Sequence, residues 1–152
     1  MCAKQIVRRS LVSGSIASLL SIAMAAAIAR RQRGDADGAV NAISHIAWGG
    51  SPERHASRPG LNTVVGAALH HGASIFWALM FEGLFGNRAR QDRNAAAAGA
   101  AVTAATAYVV DYHVVPRRFQ PGFEARMSRP SMFFVYAALG AGFLIAARLK
   151  RA

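Results

Sequence analysis

Four long apolar segments constrain the fold of this 152-residue chain more strongly than any other feature. They cover residues 10–29, 61–85, 95–115 and 131–149, and each has the roughly 20 residues with which a helix crosses about 30 Å of hydrocarbon. Backbone polar groups inside a bilayer must bond within the segment, so such a segment forms a helix. We therefore predict an all-α integral membrane protein, in which residues 1–152 form a single four-helix transmembrane bundle.

The distribution of charge favours a membrane over a nucleic acid. The net charge is +11, but the basic residues form short clusters between the apolar segments instead of one face or tail. Clusters at helix ends are typical of membrane proteins, and no RNA-binding or helix-turn-helix motif accompanies the charge. We predict the lipid bilayer as a partner, and no nucleic acid. Abundant arginine and alanine indicate a GC-rich bacterial genome.

The segments differ in how readily they enter a membrane. Ten Leu, Ile, Val and Phe residues give the second segment about −3 to −6 kcal/mol for insertion, enough to carry Glu82 and two neutral histidines. The third segment has five valines, worth about −1.5 to −3 kcal/mol, against about +2.5 to +3.5 kcal/mol for a central Asp111. Its small residues predict a third helix inside the bundle, with the larger side chains of the second and fourth helices facing lipid.

Small residues recur at a spacing of four in the first and fourth segments. This spacing places them on one helix face, where they let neighbouring backbones approach closely. We therefore predict that these faces are helix contacts. The sets are Ser10/Gly14/Ser18, Ser13/Ala17/Ser21, Ala137/Ala141 and Ala138/Gly142.

The first and third connections each predict a short interfacial helix. In the first connection, AVNAISHIAWGG separates apolar from polar side chains at helical spacing and places Trp48 near the headgroups. In the third connection, Pro116 ends the third helix and Pro130 suits the first turn of the fourth.

The N-terminal segment has two interpretations. VRRSLVSG, followed by an apolar stretch and AIA, resembles a cleaved twin-arginine export signal. Arg30 and Arg31 directly after the cleavage site are typical of a helix that stops in the membrane, so we predict retention. Lys and Arg counts on the two sides are nine against nine, with Lys150 and Arg151 included. Both termini are predicted to be cytoplasmic because the long first connection then lies outside.

A polar pocket shared by the second and third helices is predicted at one end of the bundle. Depths counted along the helices place all five histidines in that half of the molecule. Glu82 lies toward the opposite surface. The pocket residues are His70, His71, Ser74, Asp111 and His113, with His45, Trp48, Glu82, Arg117, Arg118 and Glu124 as secondary residues.

Three roles for this pocket remain open, and the first is structural. Asp111 would pair with an arginine or a histidine to fix helix packing. His70 and His71 would donate to carbonyls and to Ser74. Polar residues in membrane bundles often act in this way.

The second role is proton or ion transport. His71, Asp111 and His113 would relay protons from one face, with Glu82 toward the other. Four short helices without inverted repeats would need to dimerise to enclose such a path.

The third role is a haem or transition-metal site. His70 or His71 would combine with His113, and Asp111 would be a ligand or orient one. Adjacent helical residues point about 100° apart, so only one of His70 and His71 can face a common centre. We therefore predict no cofactor, and the metal ligands stay unknown. Motifs of hydrolytic enzymes are absent from the sequence, which favours a protein that is not an enzyme.

Three polar segments carry a family resemblance: NAISHIAWG, HHGASIFWALMFE and DYHVVPRRFQPGFEARMS. They resemble segments of small, uncharacterised multi-helix inner-membrane proteins of proteobacteria, over most of residues 41–134. The resemblance implies an integral inner-membrane protein and transfers no activity, ligand or catalytic residue. The sequence thus predicts a non-catalytic protein that acts through helix packing or partner binding, as a homo-oligomer or in a larger membrane complex.

Overall fold

The computed structural model describes residues 2–149, and the regular secondary structure in this range is entirely helical. The all-α prediction is therefore confirmed for these residues. Lys150 and Arg151, which entered the charge count, lie outside the described residues. The α-helices are α1 (Ala3–Arg33), α2 (Gly38–Ile43), α3 (His45–Trp48), α4 (Pro52–Ala56), α5 (Leu61–Leu84), α6 (Gly86–Gln91), α7 (Arg93–Val109) and α8 (Arg129–Arg148).

Three helices, α1, α5 and α8, are long and apolar enough to cross a membrane, with 31, 24 and 20 residues. The length and composition of these three helices thus support the prediction of a membrane protein. Helix α7 has 17 residues, and a π-helical turn at Val110–Val114 continues it. Two 3₁₀ turns, Arg117–Phe119 and Phe123–Ala125, form the connection to α8.

The long helices pack side by side in alternating directions. Helix α1 packs against both α5 and α8, and α7 packs against α8 and, less extensively, α5. The predicted contact stripes of α1 are confirmed, because all six of their residues are buried. A Cβ atom on Gly14 would lie 2.7 Å from the Cα atom of Ile75 in α5, so these two backbones touch.

The fourth helix, not the third, is the most deeply buried. Nine of the 20 residues of α8 are buried, against six of the 17 residues of α7. This corrects the prediction that α7 is the inner helix, whereas Phe133, Phe134 and Ile145 of α8 are exposed, as predicted for large side chains of the fourth helix. Large side chains fill the space between separated helices, and the Phe143 ring stacks on Phe81 at 5.3 Å between centroids.

The stripes of α8 have different outcomes. Gly142 is buried, and a Cβ atom there would overlap the backbone of Ala17, so the predicted contact on this face is confirmed. Ala137 and Ala141 are exposed, which corrects the other prediction. They line an apolar groove between α7 and α8.

The first connection packs against the long helices instead of lying at their edge. The predicted single helix is divided at Ser44 into α2 and α3, and all six residues of α2 are buried, with α5 as the main neighbour. The Asn41 amide donates to the carbonyl of Ala56 at 3.3 Å and accepts from the Thr63 hydroxyl at 2.7 Å. Trp48, at the end of α3, is 53% exposed.

Candidate functional site

A cavity of about 230 Å³ lies where α1, α5 and α8 meet the π turn and the connections. Its wall is mostly apolar, with a few polar side chains that come from four different helical segments. Such a composition is typical of small-molecule sites in proteins. The polar and tyrosine side chains in the wall are Ser21, His70, Ser74, Asp111 and Tyr136.

Asp111 reaches the cavity from the π turn. In this turn the N–H of Val115 donates to the carbonyl of Val110 at 2.9 Å, five residues back. The Tyr136 hydroxyl of α8 donates to Oδ2 of Asp111 at 2.7 Å. Asp111 was predicted to pair with an arginine or a histidine, and its hydrogen-bond partner is instead a tyrosine.

His70 faces the same cavity from α5. Its Nε2 atom lies 2.9 Å from the Ser21 hydroxyl oxygen in α1. The Ser21 hydroxyl also lies 2.7 Å from the Ala17 carbonyl, to which it can donate. The Ser74 hydroxyl donates to the main-chain carbonyl of His70 at 2.8 Å. It is therefore not hydrogen-bonded to the imidazole, as a nucleophilic serine would be to its general base.

The structure divides the predicted pocket into two. His70, Ser74 and Asp111 share the cavity, whereas His71 does not line it and His113 is exposed. His113 lies against the Tyr108 ring, 5.6 Å between centroids, and lines a separate cleft. Neighbouring residues on a helix point in different directions, which separates His70 from His71.

The secondary residues are dispersed. Arg117 and Glu124 line the cleft of His113, and the Arg118 guanidinium lies beside Gly49. His45 is buried in the first connection, where Nδ1 lies 2.7 Å from the Ala42 carbonyl. Its Nε2 atom has no hydrogen-bond partner among the residues that the structure describes.

Glu82 forms a second polar site near the other end of α5. It is fully buried, and Arg90 of α6 binds it through two hydrogen bonds, Nη1 to Oε2 at 2.8 Å and Nη2 to Oε1 at 3.0 Å. The Ser13 hydroxyl of α1 adds a third at 2.8 Å. Sequence reasoning missed Arg90 and Ser13 as partners, although eight residues, about two helical turns, place Arg90 within reach.

Tightly packed backbone lies between the two polar sites. Along α1, Gly14 and Ala17 lie between Ser13 and Ser21, and both positions touch the backbone of another helix. The cavity wall includes neither Glu82 nor its partner Arg90. Within residues 2–149, therefore, the cavity ends short of the buried ion pair.

The donor set of the cavity is small for a metal. His70 and Asp111 are its ligand-type side chains, and a protein zinc site commonly has three or four. Across residues 2–149, no group of three or more His, Cys, Asp and Glu side chains is arranged to hold a metal ion.

Comparisons of the chain with models of protein families, with curated proteins and with solved structures find no match. The resemblance to small inner-membrane proteins therefore stays a prediction. Function is inferred from the geometry of the cavity and of the helices around it.

Proposed function

We propose that this protein is a small integral protein of the bacterial inner membrane that binds a small molecule in its cavity without catalysing a reaction. Four membrane-spanning helices are part of this proposal. The 17 residues of α7 and the five of the π turn give 22 helical residues in succession, about 33 Å at roughly 1.5 Å per residue. Large apolar side chains on the outside of the bundle, among them Leu19, Phe76 and Phe133, support a lipid environment.

The single observation that carries the binding proposal is the cavity with its converging polar side chains. Helix packing also uses contacts outside the cavity, among them Gly14 against Ile75 and the stacked rings of Phe81 and Phe143. A purely structural role for His70 and Asp111 would leave no reason for the space between them. The Ser74 hydroxyl points to a main-chain carbonyl, which supports binding over nucleophilic catalysis.

A matched pair of variants tests ligand binding. Ala73 lines the cavity and Ala68, on the same helix, does not. We expect native mass spectrometry of the membrane-extracted wild-type protein to show a bound small molecule, and the same spectra give the oligomeric mass. Ala73→Phe should lose the ligand because the ring fills the cavity, whereas Ala68→Phe should keep it. A ligand that persists in Ala73→Phe, or a wild-type protein without one, would contradict the proposal.

Proton or ion movement is the second candidate, because ionisable His70 and Asp111 share one cavity among long helices. Asp111→Asn distinguishes the two functions, since the amide oxygen still accepts the Tyr136 hydrogen bond. We expect this variant to accumulate normally and wild-type proteoliposomes to show no pH-dependent flux, because tight packing separates the two polar sites. A flux in the wild type that Asp111→Asn abolishes would establish transport instead.

Retention of α1 with both termini in the cytoplasm completes the proposal. The small face of α1 packs between α5 and α8, which supports retention, and an even number of crossings places both ends on one side. Cys2 is exposed and is the only cysteine in the chain. A membrane-impermeant maleimide should therefore label it only after spheroplasts are permeabilised.

A Cys2→Ser variant carrying Ser51→Cys in the first connection is the control, and it should react without permeabilisation because Ser51 is exposed. Labelling of Cys2 in intact spheroplasts would reverse the orientation. A mature chain that begins at Arg30 would show that α1 is removed.

A further inference from the structure

The cavity wall has one acidic side chain and no lysine or arginine. The acidic residue is Asp111, and its hydrogen-bond partner, Tyr136, is a neutral donor. The ion pairs found within residues 2–149 involve Glu82 and Asp35, not Asp111. An ionised Asp111 would therefore face the cavity without a counter-ion, in surroundings where an opposite charge is attracted more strongly than in water.

Aromatic rings line the same cavity as this carboxyl group. Trp77, Phe119, Phe123 and Tyr136 all line the cavity, and all of them except Phe119 are buried. The face of an aromatic ring carries negative potential and attracts a cation, most strongly where water is excluded. Aliphatic side chains such as Leu69 and Leu139 complete the wall.

The same wall disfavours the other ligand classes. An anion would face the carboxyl group of Asp111, and His70, the single basic side chain, already binds Ser21 through Nε2. A hard metal ion requires more oxygen ligands than Asp111 supplies. A neutral ligand would leave an ionised carboxylate without a counter-ion.

We propose that the cavity binds a small organic cation, a quaternary or protonated amine with an apolar body. Asp111 is the counter-ion, and the rings of Trp77, Phe123 and Tyr136 surround the charged group. This inference rests on the proposed function, because it names the chemical class of the ligand bound in the same cavity.

Choline and its neutral carbon analogue, 3,3-dimethylbutan-1-ol, test this inference because they share shape and hydroxyl group and differ in charge. Titration calorimetry of the wild-type protein in lipid nanodiscs should show choline binding at least about tenfold more tightly than the alcohol. Asp111→Asn should weaken choline binding about tenfold and leave the alcohol unchanged. Asp37→Asn, an exposed acidic residue outside the cavity wall, should bind both as the wild type does.

The comparison of the two probes needs only the wild-type protein, so it stands even where Asp111→Asn fails to fold. Equal binding of choline and the alcohol would overturn the cation inference and leave small-molecule binding intact. Choline affinity that is unchanged in Asp111→Asn would overturn it as well. Small-molecule binding itself is tested separately, by native mass spectrometry of the wild-type protein and of the Ala73→Phe and Ala68→Phe variants.

Discussion

Replacing Arg90 by methionine is expected to lower the free energy of unfolding by about 3–5 kcal/mol, the cost of leaving a buried charge without its partner. Glu82 is fully buried, and Arg90 supplies two of the three side-chain hydrogen bonds that it accepts. Methionine keeps much of the apolar volume of arginine and removes the charge. The measurement is unfolding of the detergent-solubilised protein by sodium dodecyl sulfate, followed by tryptophan fluorescence.

Arg88→Met is the matched control, because Arg88 is an exposed arginine of the same short helix. Its effect should stay within about 0.5 kcal/mol. The double variant Glu82→Gln with Arg90→Met should recover most of the lost stability, since no uncompensated charge stays buried. If Arg90→Met unfolds at the same denaturant concentration as Arg88→Met, the ion pair does not stabilise the fold.

Replacing Gly66 by alanine should destabilise the protein by about 1–3 kcal/mol, the usual cost of overpacking a close contact. A Cβ atom at this position would overlap the main-chain carbonyl oxygen of Val40, so α2 and α5 would have to separate. Backbone cannot rotate away as a flexible side chain can. The midpoint of thermal unfolding in detergent is the measurement.

Gly72→Ala in the same helix is the matched control, for which we expect no loss of stability. A Cβ atom at Gly72 has nothing within 4 Å, so alanine adds no contact there. Alanine is the better helix former by about 1 kcal/mol in a helix interior, so this variant should be as stable as the wild type or more so. Equal destabilisation by both substitutions would mean that the approach of α2 to α5 does not limit stability.

The membrane-type helices could be predicted from the sequence because hydrophobic length is a local property. The second and fourth segments were placed to within a few residues, 61–85 against Leu61–Leu84 and 131–149 against Arg129–Arg148. The first was predicted too short, 10–29 against Ala3–Arg33, because charged residues at a helix end extend beyond the apolar stretch. The buried serines of α1 were also predictable, since their spacing places them on one face.

The membership of the cavity was not predictable in the same way. Depths counted along ideal helices grouped His71 and His113 with Asp111, but lining a cavity depends on rotation about the helix axis as well as on depth. The π turn changes that rotation for the residues that follow Val109, and no local pattern in the sequence indicates a π turn. His70 shares the cavity with Asp111 and His71 does not, because neighbouring residues of α5 point in different directions.

The sequence by itself specifies features that depend on single segments. The length of an apolar stretch specifies a helix, the spacing of small residues specifies a contact face, and a proline specifies where a helix ends. The partner of each polar side chain depends on at least two helices packing at once, since Glu82 needs Arg90 from α6 and Asp111 needs Tyr136 from α8. Helix rotation and the distances between helix axes arise from the packing of all side chains together. Tertiary packing therefore pairs Glu82 with Arg90 and places Asp111 in a cavity that aromatic side chains also line.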